Sequence, residues 1–349
     1  MTHLDSPLTC PLLFSATHGA QSRESAALRR RVGTGTVVRL RRGVFVARET
    51  WEAADARARH VLLVRAVSVS SPRSCVVSHA SAAAVLDLPS VSRQPARVAL
   101  IDPRREKVQT SPGVIRRPGF VPVRDRTVIG SLRVTNASRT MVDVLSTADF
   151  ADAVLCADAV LRRRLMPDGH RSPESIGPPL SAARDEFESM LGPATSPGGR
   201  AARRALQFAS PWAENGGESL VRIALFELGA PEVALQVPFF DAQGLIGRCD
   251  FFLVLVGVVL EFDGLEKYVD PVLSGGRTTA QVIRDEKDRE ARLRAHPRVR
   301  EVVRCEYRDL VDPRRLAAKL ERAGVHLDPR RLSAASRAAA QRFRGHTTH

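Results

Sequence analysis

The sequence predicts a multidomain protein of the α+β / α/β class, and three observations carry that expectation. Its 349 residues exceed one average domain. Two breaks rich in Pro and Gly, residues 167–179 and 192–199, divide an amino-terminal part from a carboxy-terminal one. Strand-like apolar runs alternate with helical patterns on both sides of those breaks, and an apolar content of 44% suffices for ordinary cores.

At the start of the chain, residues 11–17 read as a short helix. Gly19-Ala-Gln-Ser22 supplies a turn and an N-cap, and residues 23–32 read as a second helix ending at Gly33. The runs 37–40 and 43–46 read as a β-hairpin with Arg41 and Arg42 at its tip. Helix, turn, basic helix and basic hairpin together make a winged helix-turn-helix over residues 1–50. Such a module sets its second helix in the major groove and its wing on the backbone. Arg23, Arg29, Arg30 and Arg31 then lie on or near the recognition helix and Arg39, Arg41 and Arg42 on the wing. Most of them are expected to touch phosphate, which positions a protein without reading sequence. The alternative is a winged helix used as a packing or protein-contact module.

Residues 51–166 read as an α/β connector domain. Residues 51–69 are helical in pattern, and Ser78-His79-Ala-Ser81 begins a small-residue helix that stops at Pro89. Strands are expected at 96–101, 113–115 and 131–134, and helices at 135–145 and 147–165. Ser78, His79 and Asp143 together suggest a hydrolase triad. The sequence argues against it, because adjacent side chains should diverge and no Gly-x-Ser-x-Gly elbow is present. Residues 167–200 read as a Pro/Gly-rich linker with one helix, 181–191.

The carboxy-terminal domain spans residues 201–325. Its helix from Gly216 to the Gly229-Ala-Pro stop places Glu218 on the stripe of Val221, Leu225 and Leu228, facing whatever the helix packs on. A strand at 234–240 and a turn at 241–244 follow. Two runs of Val, Leu and Phe then flank Val256-Gly257 as a buried hairpin. With those two residues as the turn, opposed residue numbers sum to 513, so Asp250 lies opposite Asp263 and Phe252 opposite Glu261. Asp250, Glu261 and Asp263 then project to one side. Carboxylates among Val and Leu are costly unless paired or bound to a cation. The alternative puts them at strand ends, in water or facing Arg. Residues 326–349 read as a solvated basic tail.

The formal net charge is +15, and only Lys107, Lys267, Lys287 and Lys319 are lysines, so nearly all the positive charge is Arg. The planar guanidinium fork matches phosphate, which points to double-stranded DNA as partner. A GC-rich genome explains Arg over Lys but not the excess of basic over acidic residues. Aromatic residues at 5% are too sparse for single-strand stacking platforms. Five cysteines without CxxC or His spacing make neither a disulfide framework nor a zinc site, so the expected setting is a reduced cytoplasm. No run approaches eighteen apolar residues and no signal peptide is present, so no membrane is expected.

The order helix with Glu218, strand, strand with Asp250, and strand with Glu261-x-Asp263 resembles the PD-(D/E)xK nuclease superfamily. The resemblance is closest to the branch related to very-short-patch repair endonucleases, and it continues through Asp263-Gly-Leu-Glu-Lys267-Tyr268, a charged helix at 284–293 and a strand at 299–304. It implies a restriction-endonuclease-like (PD-(D/E)xK) mixed sheet flanked by helices. It also implies an endonuclease whose Glu218, Asp250 and Glu261 bind Mg2+, or Mn2+, with Asp263 assisting. Mg2+ suits such a set, because it prefers carboxylate and water oxygens and leaves room for a phosphate. The superfamily usually has Lys where Asp263 stands, so the cationic role falls to Lys267, Lys287 or Arg289. The stretch Thr36-Val-Val-Arg-Leu-Arg-Arg-Gly43-Val-Phe-Val before Trp51, with residues 77–89 and 134–143, is similar to the N-terminal domain of AbiEi-type antitoxins. Those are DNA-binding repressors of type IV toxin-antitoxin operons. That likeness implies the alternative function, a repressor or antitoxin-like regulator with an inactive nuclease fold and a toxin or operon partner protein.

Overall fold

A computed structural model describes residues 6–15, 23–169, 173–263 and 279–344. The chain divides into two compact units, Met1–Val160 with Gly177–Phe208 and Leu161–Ile176 with Ala209–His349. Both mix helices with sheet, as the α+β / α/β expectation requires.

The first unit opens with β1 (Leu13–Phe14), α1 (Arg23–Gly33), β2 (Val37–Arg41) and β3 (Val44–Ala47). The expected helix at 11–17 is not formed at its described residues. Leu13 pairs with Phe45 and Phe14 with Val44, so β1 covers the outer edge of β3 in the sheet order β1-β3-β2. The reason is apolar burial, since Leu13 joins the cluster of Leu28, Val37 and Phe45. Among the described residues one helix, rather than two, therefore precedes the hairpin.

The pattern over 51–69 breaks into α2 (Arg48–Ala53) and α3 (Ala56–Val69). Asp55 causes the break, because its side chain accepts the Ala58 N–H at 2.6 Å and caps α3. Helix α3 serves two cores. Leu62 packs with Cys10 and Val46 under the small sheet, while Val61, Val64 and Val67 pack under the next one. The core is thus continuous across residue 50.

That next sheet comprises β4 (Val76–Val77), β5 (Val98–Asp102), β6 (Gln109–Ser111), β7 (Val114–Pro118), β8 (Arg126–Ile129) and β9 (Leu132–Thr135), in the order β6-β7-β5-β4-β9-β8. The expected strands appear as β5, β7 and β9. β4 and β6 are too short or too polar to leave an apolar run in the sequence. Helices α4 (His79–Val85) and α5 (Ala137–Leu145) pack against this sheet, and α6 (Phe150–Leu165) follows them. Helix α7 (Pro173–Met190) begins earlier than expected and carries Pro178 and Pro179 inside it. Each proline removes one helical donor, and the helix continues nevertheless. Helix α8 (Gly199–Phe208) follows the second break.

The second unit is built on α9 (Gly216–Leu228), β10 (Val233–Asp241), β11 (Gly244–Leu253), β12 (Val258–Asp263), α10 (Thr279–Ala295) and β13 (Glu301–Glu306). The sheet order is β10-β11-β12-β13. The first two pairings are antiparallel and the last is parallel, which makes a mixed sheet. Helices α11 (Tyr307–Val311), α12 (Pro313–Arg322) and α13 (Pro329–Arg342) complete it. The expected basic tail is largely α13. Asp328 caps it, Ala335 and Ala339 are buried, and Arg342 reaches Glu227 of α9 at 2.6 Å. Small alanines at helical spacing let two helices approach closely, a pattern that reads as bland low-complexity sequence.

The hairpin turn is longer than expected. Phe251 pairs with Leu260, Phe252 with Val259 and Leu253 with Val258, so opposed numbers sum to 511 and residues 254–257 form a four-residue loop. Leu255 is 72% exposed there, which is why an apolar run was misleading about strand length. The change is an even one, so every side chain keeps its face and Asp250 comes opposite Glu261 instead of Asp263. Among the described residues no helix is long and apolar enough to cross a membrane, and all five cysteines are buried and free.

Candidate functional site

Leu28 is the residue that orients α1. Its burial against Val37 and Phe45 turns Arg29, Arg30 and Arg31 outward, and all three are exposed. At the hairpin, Arg39 and Arg42 are exposed and Arg41 is half-buried. Arg39 donates to the Arg41 carbonyl at 3.4 Å, which stiffens the tip. No carboxylate pairs with Arg30, Arg31 or Arg42 among the described residues. Arg23 is the first residue of α1. The expected basic helix and basic hairpin tip are therefore adjacent in one small sheet-and-helix body.

The acidic cluster lies in the second unit. Helix α9 is capped by Asn215, whose Oδ1 accepts the Glu218 N–H at 3.0 Å. The Gly pair at its start has a steric purpose, because a Cβ on Gly217 would overlap the Phe262 ring. That close approach brings the first turn of α9 onto β12. Glu218 is 4% exposed. Its Oε1 accepts Asn215 Nδ2 at 2.8 Å, and its Oε2 accepts the Glu214 N–H at 2.8 Å and Gln236 Nε2 at 3.2 Å. Burial, with the negative charges of Asp250 and Glu214, nevertheless pushes its carboxyl up to about 7.

Gln236 is the residue that sequence reasoning missed. It stands in β10 between Leu235, which pairs with Phe251, and Val237, which pairs with Cys249, so the register sets it opposite Asp250. It has a φ of 52°, an unusual backbone conformation for a non-glycine residue. A lone Gln within the apolar run 233–240 was its signal in the sequence, and the structure buries it.

Asp250 and Glu261 are each two residues from Phe252 and Val259, which pack with Leu293 of α10. The acidic face is thus the α10 face of the sheet. Asp250 Oδ2 accepts the Phe262 N–H at 2.8 Å. Glu261 is buried and meets Arg289 Nη2 at 2.7 Å. Arg289 lies close over β11 at Gly247, where a Cβ would come 2.8 Å from its Nε. Asp263 receives Arg304 Nη1 on both oxygens, at 3.0 and 3.1 Å, and Arg304 Nη2 also holds Glu286 at 2.9 Å and Glu290 at 2.7 Å. Lys287 is exposed on α10, so the cation brought to Glu261 is Arg289. Lys267 lies outside the described residues.

The sequence therefore placed Glu218, Asp250, Glu261 and Asp263 in one region and on the right elements. Their partners decide what they can do. Glu218 is held by amide donors, and Glu261 and Asp263 by guanidinium groups. Among the described residues no three His, Cys, Asp or Glu side chains are grouped as a metal ion would need. In this arrangement the guanidinium groups of Arg289 and Arg304 compensate the charge of Glu261 and Asp263.

Ser78, His79 and Asp143 do converge, contrary to the expectation that neighbouring side chains diverge. His79 has a φ of 54°, which turns its ring back so that Nδ1 lies 2.9 Å from Ser78 Oγ and 3.8 Å from Asp143 Oδ2. Both groups face the same ring nitrogen, whereas a relay needs one on each. Burial, with Arg117 and Arg139 nearby, holds the imidazole down at about 3. The cluster is a buried structural network.

No family model matches the chain, and no curated protein matches it. Among solved structures, that of the RV2827C protein from Mycobacterium tuberculosis is similar. It has 18% identity over 56% of this chain and 76% of that one, with a TM-score of 0.31.

Proposed function

We propose that this chain is a DNA-binding regulator of the antitoxin kind. In this reading α1 and the β2–β3 hairpin engage the phosphates of double-stranded DNA, and the carboxy-terminal mixed sheet is a nuclease-like body whose acidic cluster is tied to arginines. The observation that carries it is the exposed arginine set, in which Arg30, Arg31 and Arg42 have no acidic partner among the described residues. Uncompensated guanidinium groups on one helix and an adjoining hairpin form an electrostatic footprint for a polyanion. The pairing of Arg289 with Glu261 and of Arg304 with Asp263 supports the regulator over an enzyme.

A second reading, a Mg2+-dependent endonuclease, is favoured by one specific observation. Asp250, Glu261 and Asp263 share a face, and Gln236 links that region to Glu218. Gel shift on duplex DNA, with cleavage of plasmid and oligonucleotides in Mg2+ or Mn2+, separates the readings. The regulator is expected to shift duplex and leave it intact. Cleavage abolished by both Asp250→Ala and Glu261→Ala would establish the endonuclease instead.

A further inference from the structure

The first unit contains an open cavity of about 380 Å3 between β1, α3 and the six-stranded sheet. Its walls carry Arg65, Arg73 and Arg133 together with apolar Phe14 and Leu132, and among the described residues no acidic one lines it. Arg65 is oriented by the chain itself, because its Nη1 donates to the Pro7 carbonyl at 2.8 Å and to Cys10 Sγ at 3.2 Å. Arg73 is exposed, and among the described residues it makes no ion pair or side-chain hydrogen bond. Two further polar atoms among these residues, Arg133 Nε and Ser68 Oγ, are buried with no partner among the described residues. A buried donor left unpaired is costly, and a ligand group entering the cavity can meet it.

We infer that this cavity binds a small phosphate-bearing molecule with an apolar or aromatic body, of nucleotide size. Three guanidinium groups with no carboxylate among the described lining residues suit a dianion, and the planar fork matches phosphate oxygens in pairs. Ser68 can supply a further hydrogen bond, and half-buried Phe14 offers a surface against which an apolar body packs. The volume falls within the range of about 300–1,000 Å3 common for small-molecule sites. None of the arginines proposed for DNA lines this cavity, so the inference stands apart from that reading.

Isothermal titration of the full chain with adenosine and guanosine monophosphates tests it, with the nucleosides and inorganic phosphate as separate arms. At least one monophosphate is expected to bind, and to bind about tenfold or more tighter than its nucleoside or phosphate alone. Arg73→Gln, at an exposed position, and Arg133→Gln are each expected to weaken that binding about tenfold or more, and Ser68→Ala to weaken it severalfold, with unchanged circular dichroism. Arg30→Gln with Arg31→Gln is expected to leave it intact. No binding up to millimolar monophosphate by folded protein would overturn the inference. So would affinity unchanged in Arg73→Gln and Arg133→Gln, or affinity lost in the Arg30 and Arg31 variant.

Discussion

Replacing Glu218 by Gln isolates the acidic cluster from the rest of the second unit. The carboxyl is raised from 4.5 to about 7, chiefly by burial. An acid whose folded pKa lies above its unfolded one binds more protons when folded, so stability falls as pH rises between the two values. At about 1.36 kcal/mol per unit, the ionised carboxylate costs up to about 3 kcal/mol above neutrality. Between about pH 5 and pH 8 the wild type should lose about 2.5 kcal/mol that Glu218→Gln does not lose. The amide oxygen in the Oε2 position can keep the Glu214 N–H and Gln236 bonds, while its NH2 forfeits the Asn215 Nδ2 bond because Asn215 Oδ1 caps the helix, a loss that does not depend on pH. Urea unfolding read on Trp212 fluorescence in a Trp51→Phe background reports this unit. Wild type and variant with the same pH dependence would refute the desolvated, partly protonated carboxyl.

Arg304→Met removes the cation shared by Asp263, Glu286 and Glu290. It should destabilise by about 1–2 kcal/mol, between the values for exposed and buried pairs, with a lower urea midpoint as the readout. A double variant with Asp263→Asn should lose less than the sum of the singles, and additivity would argue against the pair. Gly217→Ala forces a methyl into the Phe262 ring and should cost about 1–3 kcal/mol, part of which Phe262→Leu restores. Equal melting temperatures for Gly217→Ala and wild type would contradict the close approach of α9 to β12.

What the sequence made legible rests on periodicity. The stripe of Glu218, Val221, Leu225 and Leu228 is buried as a unit, and the shared face of Asp250, Glu261 and Asp263 survives a turn two residues longer than expected. Parity does not depend on turn length, provided the change is even. The rest depends on partners distant in the chain. Arg304 lies opposite Glu261 in the parallel register and reaches Asp263, and nothing near either carboxylate announces it. β1 was hidden because two residues on an edge strand have no period, and the ring contact of His79 because a positive φ at a non-glycine residue leaves no sequence signal. Helix α13 was hidden by its alanine-rich composition, which reads the same whether exposed or packed.

The central claim is that α1 and the adjoining hairpin hold duplex phosphates. The most direct test is the salt dependence of duplex binding by the full chain and by its Arg30→Gln, Arg31→Gln variant. Each lost phosphate contact lowers the slope of log affinity against log salt by about 0.9, so the double variant should show a slope smaller by about 1.8 and weaker binding at low salt. A slope identical to that of the wild type would place the DNA elsewhere on the protein and contradict the account.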